Sequence, residues 1–113
     1  MNTMIIETTK ENGFVIATIT EHEASLKNSD AFKAAITSLI EKENKYIIIN
    51  FENVTYIDSS FLGALVSSLK YAMSKQADLC IVNLRKDIYA LLQLTRIDKV
   101  FKIYSTTSEA LAH

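Results

Sequence analysis

The stretch "KYIIINFENVTYIDSSFLGALVSSLKYAM", residues 45–73, decides the fold of this chain. It opens with an unbroken apolar run, "KYIIINF" (45–51), which lacks the alternation of a half-solvated strand. Such a run is typical of a parallel strand that is covered on both faces. After a short turn, apolar residues recur at helical spacing, at Leu62, Leu65, Val66, Leu69 and Met73. A buried strand followed by an amphipathic helix predicts an α/β fold.

Further strands and one helix are predicted on the N-terminal side of this stretch. "MIIETT" and "FVIATIT" are rich in β-branched residues, which favour strands. They flank Asn12-Gly13, a pair that is typical of a two-residue hairpin turn. A helix is then predicted from a cap at Ser29 or Asp30 to about Glu43.

The C-terminal side continues the alternation of strands and helices. "LCIVNL" (79–84) predicts a second buried strand, and a third helix is marked by Ile88, Leu91 and Leu92. "VFKIYS" predicts a final strand, and "TTSEALAH" a short helix capped by Thr106 or Thr107. The order β-β-α-β-α-β-α-β-α favours one domain over residues 1–113. We expect a mostly parallel or mixed sheet of four to five strands that starts with a hairpin, with about four helices.

Composition and charge exclude several classes of protein. The 113 residues carry 12 basic and 13 acidic side chains, a net charge of -1, with no block of like charge. A nucleic-acid groove or an anionic membrane surface is therefore not indicated. Residues 1–13 lack the features of a signal peptide, and no apolar run approaches the roughly 20 residues of a membrane helix. Because Cys80 is the single cysteine, we expect a soluble protein of the reducing cytoplasm.

The residues of common catalytic sites are missing from the sequence. His22 lies in a polar segment and His113 at the end of the chain, and neither belongs to a metal-ligand pattern, so both are predicted to be ordinary exposed histidines. Cys80 lies within an apolar run and is predicted to be a core residue, not a nucleophile. No glycine-rich nucleotide loop occurs. We therefore expect no enzymatic activity, no catalytic residue, no metal and no cofactor.

Asp58, Ser59 and Ser60 precede the apolar stripe of the second helix, and they allow two interpretations. One of them is the N-cap that accepts hydrogen bonds from the free N–H groups of the first turn. Alternatively, a serine here is the site of a phosphate, because the positive end of the helix dipole favours an anion. The two interpretations are compatible, since a capped helix start tolerates an added anion.

The strand "YIIINF", the turn "ENVTYIDSS", the helix "FLGALVSSLKYA" and the later "LLQLTRIDKVFKIYSTTSEAL" together resemble the STAS domain of bacterial anti-sigma factor antagonists. The resemblance extends over nearly the whole chain, including the element order. Its most specific part is "IDSSFLGALV", which corresponds to a family segment that reads roughly [MI]-D-S-[STA]-G-L-G. The resemblance implies the STAS fold and a part in regulating transcription.

The resemblance also implies a phosphorylation switch at Ser59. In the family, the serine after the aspartate is phosphorylated by an anti-sigma factor that is itself an ATP-dependent serine kinase. The unphosphorylated antagonist sequesters this kinase and frees the sigma factor, and a metal-dependent serine phosphatase reverses the modification. Asp58 corresponds to the aspartate at the kinase-facing surface, Ser60 supports the turn, and Gly63 corresponds to the second family glycine.

Phe61 stands where the family has its first glycine. We expect its side chain to lie close to Ser59, where it would contact a matched partner or obstruct a mismatched one. The same departure favours an alternative function, a STAS scaffold that does not switch or the soluble subunit of a transport system.

Overall fold

The computed structural model describes residues 4–112. The prediction for His113 and the outer limits of the predicted domain, residues 1 and 113, lie outside this range. The strands are β1 (Ile6–Glu11), β2 (Phe14–Ile19), β3 (Glu23–Ala24), β4 (Tyr46–Asn50), β5 (Tyr56–Ile57), β6 (Asp78–Val82) and β7 (Lys102–Tyr104). The helices are α1 (Ser29–Glu41), α2 (Ser59–Ser74), α3 (Lys86–Leu94) and α4 (Thr107–Leu111), with a 3-10 turn at Ile97–Lys99.

The main sheet is mixed and has five strands in the order β1-β2-β4-β6-β7. β1 and β2 form an antiparallel hairpin, while the pairs β2–β4, β4–β6 and β6–β7 are parallel. At the hairpin turn, Asn12 and Gly13 both have positive φ, 52° and 83°, as a two-residue turn of the I′ type requires. The prediction of an α/β domain that begins with a hairpin is therefore confirmed.

Both faces of β4 are buried from residue 47 to residue 50, and Tyr46 at the start of the strand is exposed. Ile47, Ile48 and Ile49 are each at most 1% exposed. Ile47 and Ile49 belong to the larger core, beneath α1, α2 and α3, whereas Ile48 belongs to a smaller core on the other face, beneath α4. Because a strand covered on both faces has no solvent-facing position, its sequence has no polar alternation.

The start of α1 differs from the prediction. Asn28 is the N-cap residue, instead of Ser29 or Asp30, and its side chain makes no capping bond. The Asn28 amide donates instead to the backbone oxygen of Glu23, and its oxygen accepts from the N–H of Ser25. The last helix begins as predicted, with the Thr106 hydroxyl accepting from the N–H of Glu109.

A second, two-stranded sheet pairs β3 with β5 in parallel. The sequence analysis did not predict it, because two residues are too few to show any periodicity. This small sheet joins the polar segment after β2 to the residues just before α2. It therefore sets the position of the segment that holds Asp58, Ser59 and Ser60.

Candidate functional site

The start of α2 is capped by Asp58. One carboxylate oxygen of Asp58 accepts a hydrogen bond from the N–H of Phe61 at 3.0 Å. Asp58 has an extended backbone, as an N-cap residue normally has. The aspartate thus performs the capping role, and neither Ser59 nor Ser60 is needed for it.

The second carboxylate oxygen of Asp58 reaches a different part of the chain. It accepts a hydrogen bond from the N–H of Leu26 at 3.0 Å. Close by, the N–H of Asp58 donates to the backbone oxygen of Ala24 at 3.1 Å. One side chain therefore holds the first turn of α2 and the segment after β3 together.

The segment from Glu23 to Asn28 is further held by its own hydrogen bonds. The Ser25 hydroxyl donates to the Glu23 carboxylate at 2.6 Å and accepts from the N–H of Lys27 at 3.2 Å. This network holds Leu26 at the surface, where it is 73% exposed. Leu26 therefore presents an ordered apolar side chain beside the start of α2.

Ser59 is exposed, and Ser60 is half-buried. The Ser59 hydroxyl makes no hydrogen bond within residues 4–112. Gly63 lies one turn further along the same face of α2, because residues at i and i+4 are neighbours on a helix. It is exposed, and a Cβ atom added there would have no atom within 4 Å. Leu26, Asp58, Ser59 and Gly63, which we call the Ser59 surface, thus form the candidate site.

The prediction that Phe61 contacts a partner is wrong. Its side chain is fully buried, with 0% exposure, and packs on Phe32 of α1 with ring centroids 4.6 Å apart. The first turn of α2 directs this ring into the core between the two helices, away from Ser59. Phe61 therefore stabilises the fold and does not offer an apolar contact to a partner.

Sequence reasoning missed Leu26. The residue lies in "EHEASLKNSD", and it is the one large apolar residue of that polar segment. An isolated leucine among charges is the only sequence feature that could have indicated it. Its position near Ser59 depends on the hydrogen bond from its N–H to the Asp58 carboxylate, 32 positions away in the sequence.

Potential metal ligands and nucleophiles also occur elsewhere in the part of the chain that the structure describes. No three His, Cys, Asp or Glu side chains within residues 4–112 are placed to hold a metal ion. Burial raises the pKa of the Cys80 thiol to about 11, so the thiol is protonated and a poor nucleophile at neutral pH. His22 is exposed, with its Nδ1 atom 2.8 Å from the backbone oxygen of Asn53. Within the same range, no helix has the length and apolar character needed to cross a bilayer.

Comparison with known proteins gives one matching family. A family model described as the STAS domain matches residues 6–110. A Thermotoga maritima protein named as a candidate anti-sigma factor antagonist is 30% identical over 98 residues, which cover 86% of this chain and 87% of the relative. A crystal structure described in the same words, from the same organism, has a TM-score of 0.88 at 28% identity and covers 95% of this chain and 92% of that one.

Two more distant structures share the fold. SpoIIAA of Bacillus in its phosphorylated form has a TM-score of 0.70 at 17% identity, with 95% of this chain and 96% of that chain covered. A sulfate transporter family protein of Wolinella succinogenes has a TM-score of 0.79 at 18% identity, with 92% and 86% covered. Identities this low establish a common fold and nothing about activity.

Proposed function

The chain belongs to the STAS domain family, and we propose that it is an anti-sigma factor antagonist that is switched by phosphorylation of Ser59. In this proposal the unphosphorylated protein sequesters an anti-sigma factor that is also a serine kinase. A metal-dependent serine phosphatase acts on the phosphorylated form. The protein is then a binding module, not an enzyme.

The observation that carries the proposal is the exposed Ser59 hydroxyl at the start of a helix that another residue already caps. Because Asp58 makes the capping bond at 3.0 Å, modification of Ser59 leaves the local hydrogen bonds intact. The helix dipole and the free N–H groups of the first turn favour a phosphate there. The name of a relative supports the same function, because the Thermotoga maritima protein is named as a candidate anti-sigma factor antagonist.

Phosphorylation is expected to act on the partner contact, not on the fold. A phosphoserine brings about -1.5 to -2 charges, next to the Asp58 carboxylate and close to the exposed Leu26. A partner that covers the Ser59 surface would have to remove water from this group, which is costly without a paired cation. Binding therefore weakens through charge and bulk, while the backbone stays nearly unchanged.

The test compares wild type with Ser59→Ala and Ser59→Asp. Each is incubated with lysate of the cells that make the protein, with and without ATP, and the modified residue is mapped by mass spectrometry. We expect phosphate on Ser59 of the wild type only. Ser59→Ala should retain the kinase in the presence of ATP, and Ser59→Asp should bind it poorly, although a carboxylate carries less charge than a phosphate.

Ser60→Ala is the matched control, since it removes the neighbouring hydroxyl and leaves Ser59 in place. It should be phosphorylated like the wild type, and the kinase should then release it. Phosphate on Ser60, or equal affinity of the kinase for modified and unmodified protein, would refute the proposal and leave Ser59 as a surface residue of the helix start.

Asp58 is expected to matter more for partner binding than for folding. Asp58→Ala removes the cap and should lower the free energy of unfolding by about 0.5–2 kcal/mol. It also releases the Leu26 segment, so kinase binding should fall more clearly than stability.

Asp58→Asn separates the capping role of Asp58 from its role in holding the Leu26 segment. Asparagine is an equally good cap, but it has a single acceptor oxygen where aspartate uses two. A denaturant titration and an affinity measurement on both variants check this, and a globally unfolded Asp58→Ala protein would contradict it.

Gly63→Ala is expected to change stability and binding in opposite directions. Alanine is more favourable than glycine inside a helix by about 1 kcal/mol, and the added methyl group meets no atom within 4 Å. The free energy of unfolding should therefore rise. If a partner lies against the Ser59 surface, the same methyl group should weaken its binding. A stabilised variant with unchanged affinity for the kinase would place Gly63 outside the contact.

The alternative of a scaffold or transporter-associated STAS protein was favoured by Phe61, which stands where the family has its first glycine. Because the Phe61 ring is fully buried, this departure from the family segment changes the core and leaves the Ser59 surface unobstructed. The burial of Phe61 supports the phosphorylation switch over this alternative.

A further inference from the structure

One face of the main sheet is only partly covered. On the face opposite α1, α2 and α3, Ile16, Ile48 and Val82 pack beneath Ala110 of α4. α4 has only five residues, so it is about 7.5 Å long and covers a limited area. The remainder of this face lies towards the amino-terminal ends of β2, β4 and β6.

An open cleft of about 700 Å³ lies over that remainder. The volume falls in the range of pockets that hold small ligands. Phe14 and Tyr46 lie at one end, Cys80 lies in the middle, and Lys102 and Tyr104 lie at the other end. The strand register produces this arrangement, because Ile48 pairs with Cys80 and Cys80 pairs with Lys102.

The end formed by β2 and β4 is aromatic, with the turn residues Asn12 and Gly13 at its edge. The rings of Phe14 and Tyr46 are 5.7 Å apart and tilted by 50°, and Tyr46 is 52% exposed. Next to them the Cys80 thiol is neutral, because its pKa is raised by burial. This half of the cleft suits a hydrocarbon or a flat apolar group.

The end formed by β7 is cationic. The ion pairs within residues 4–112 are Arg85–Asp87 and Lys99–Asp98, so the exposed Lys102 ammonium has no carboxylate partner there. Asp78 is exposed on β6, opposite Tyr46 in the register. The cleft therefore carries one positive and one negative side chain on the neighbouring strands β7 and β6, and both charges act on the Cys80 thiol between them.

We propose that this cleft binds a small amphiphilic monocarboxylate of the medium-chain fatty-acid class. Its apolar body lies on Phe14 and Tyr46, and its carboxylate lies beside Lys102. From β2 to β7 the cleft crosses three strand spacings, about 14 Å, which suits a chain of roughly this length. Asp78 disfavours nucleotides and other ligands of multiple negative charge, since a single lysine cannot neutralise them.

The site lies apart from the Ser59 surface. α2 packs on the opposite face of the sheet, and its first turn follows the carboxyl-terminal side of β4 and β5. The ligand site is therefore independent of the proposed phosphorylation switch. Its test needs neither a kinase nor a phosphate.

The test is a titration of the ¹⁵N-labelled, unphosphorylated chain with decanoate and, in parallel, with neutral decanol, each below its aggregation concentration. We expect saturable changes in the NMR chemical shifts of the backbone amides of Phe14, Tyr46, Cys80 and Lys102. Lys102→Gln should weaken decanoate binding about threefold, the value of an exposed ion pair, and leave decanol binding unchanged. Tyr46→Ser should weaken both ligands, and Lys33→Gln, which removes an exposed lysine of α1, should weaken neither.

Three results would overturn the proposal. The first is the absence of saturable shifts, or shifts centred on α2 instead of the cleft. The second is an equal effect of Lys102→Gln on decanoate and decanol, which would show that the carboxylate is not recognised. The third is a concentration-dependent shift of the cleft residues without ligand, which would identify a second copy of the chain as the occupant.

Discussion

Phe61→Ala is expected to lower the free energy of unfolding by about 3–5 kcal/mol. The ring is fully buried and lies 4.6 Å from the ring of Phe32, so truncation removes apolar burial and leaves a cavity between α1 and α2. Small domains have a total stability of only about 5–15 kcal/mol. A large fraction of the variant should therefore be unfolded at moderate denaturant concentration. A urea titration followed by circular dichroism measures the loss.

Phe61→Leu is the control for this experiment. Leucine keeps most of the buried apolar surface, so its stability should fall less than that of Phe61→Ala. The folded Phe61→Leu protein should bind the kinase like the wild type, because the Phe61 ring of the wild type does not reach the surface. A Phe61→Ala protein with an unchanged unfolding midpoint and lost partner binding would show instead that the ring acts at the contact.

Ile48→Asp is the second change with a large expected effect. Ile48 is 0% exposed and lies in the small core with Ile16, Val82 and Ala110. An aspartate at this position in the middle strand would bury a carboxylate with no cation beside it. We expect a loss of several kcal/mol, enough to prevent stable folding. Thermal unfolding followed by circular dichroism is the measurement.

The matched control is Ile48→Val, which removes one buried methylene group and should cost about 0.5–1.5 kcal/mol. The comparison separates lost packing from buried charge at one position. An Ile48→Asp protein that unfolds at the wild-type temperature would contradict the assignment of β4 as a strand buried on both faces.

Local sequence patterns determined the strands of the main sheet, the four helices and the position of Asp58 and Ser59, but not the short strands β3 and β5. The unbroken run "YIIIN" predicts a strand buried on both faces, because burial on two sides requires apolar side chains at every position. Asn12-Gly13 predicts the hairpin, since both residues accept the positive φ that the turn needs. Asp58 and Ser59 mark the start of α2 for an equally local reason: a cap acts on N–H groups only two or three residues away.

The tertiary structure alone decided which of these side chains reach the surface. Phe61 lies next to the two serines in sequence, yet its ring is in the core, because the neighbouring helix supplies Phe32 as its partner. Leu26 belongs to the Ser59 surface through the Asp58 carboxylate, and β3 pairs with β5 across more than thirty residues of chain. Asn28 does not cap α1 with its side chain, because that side chain bonds to Glu23 and Ser25. A residue's own sequence neighbourhood fixes its backbone preference, but its exposure and its distant partners depend on which elements pack together.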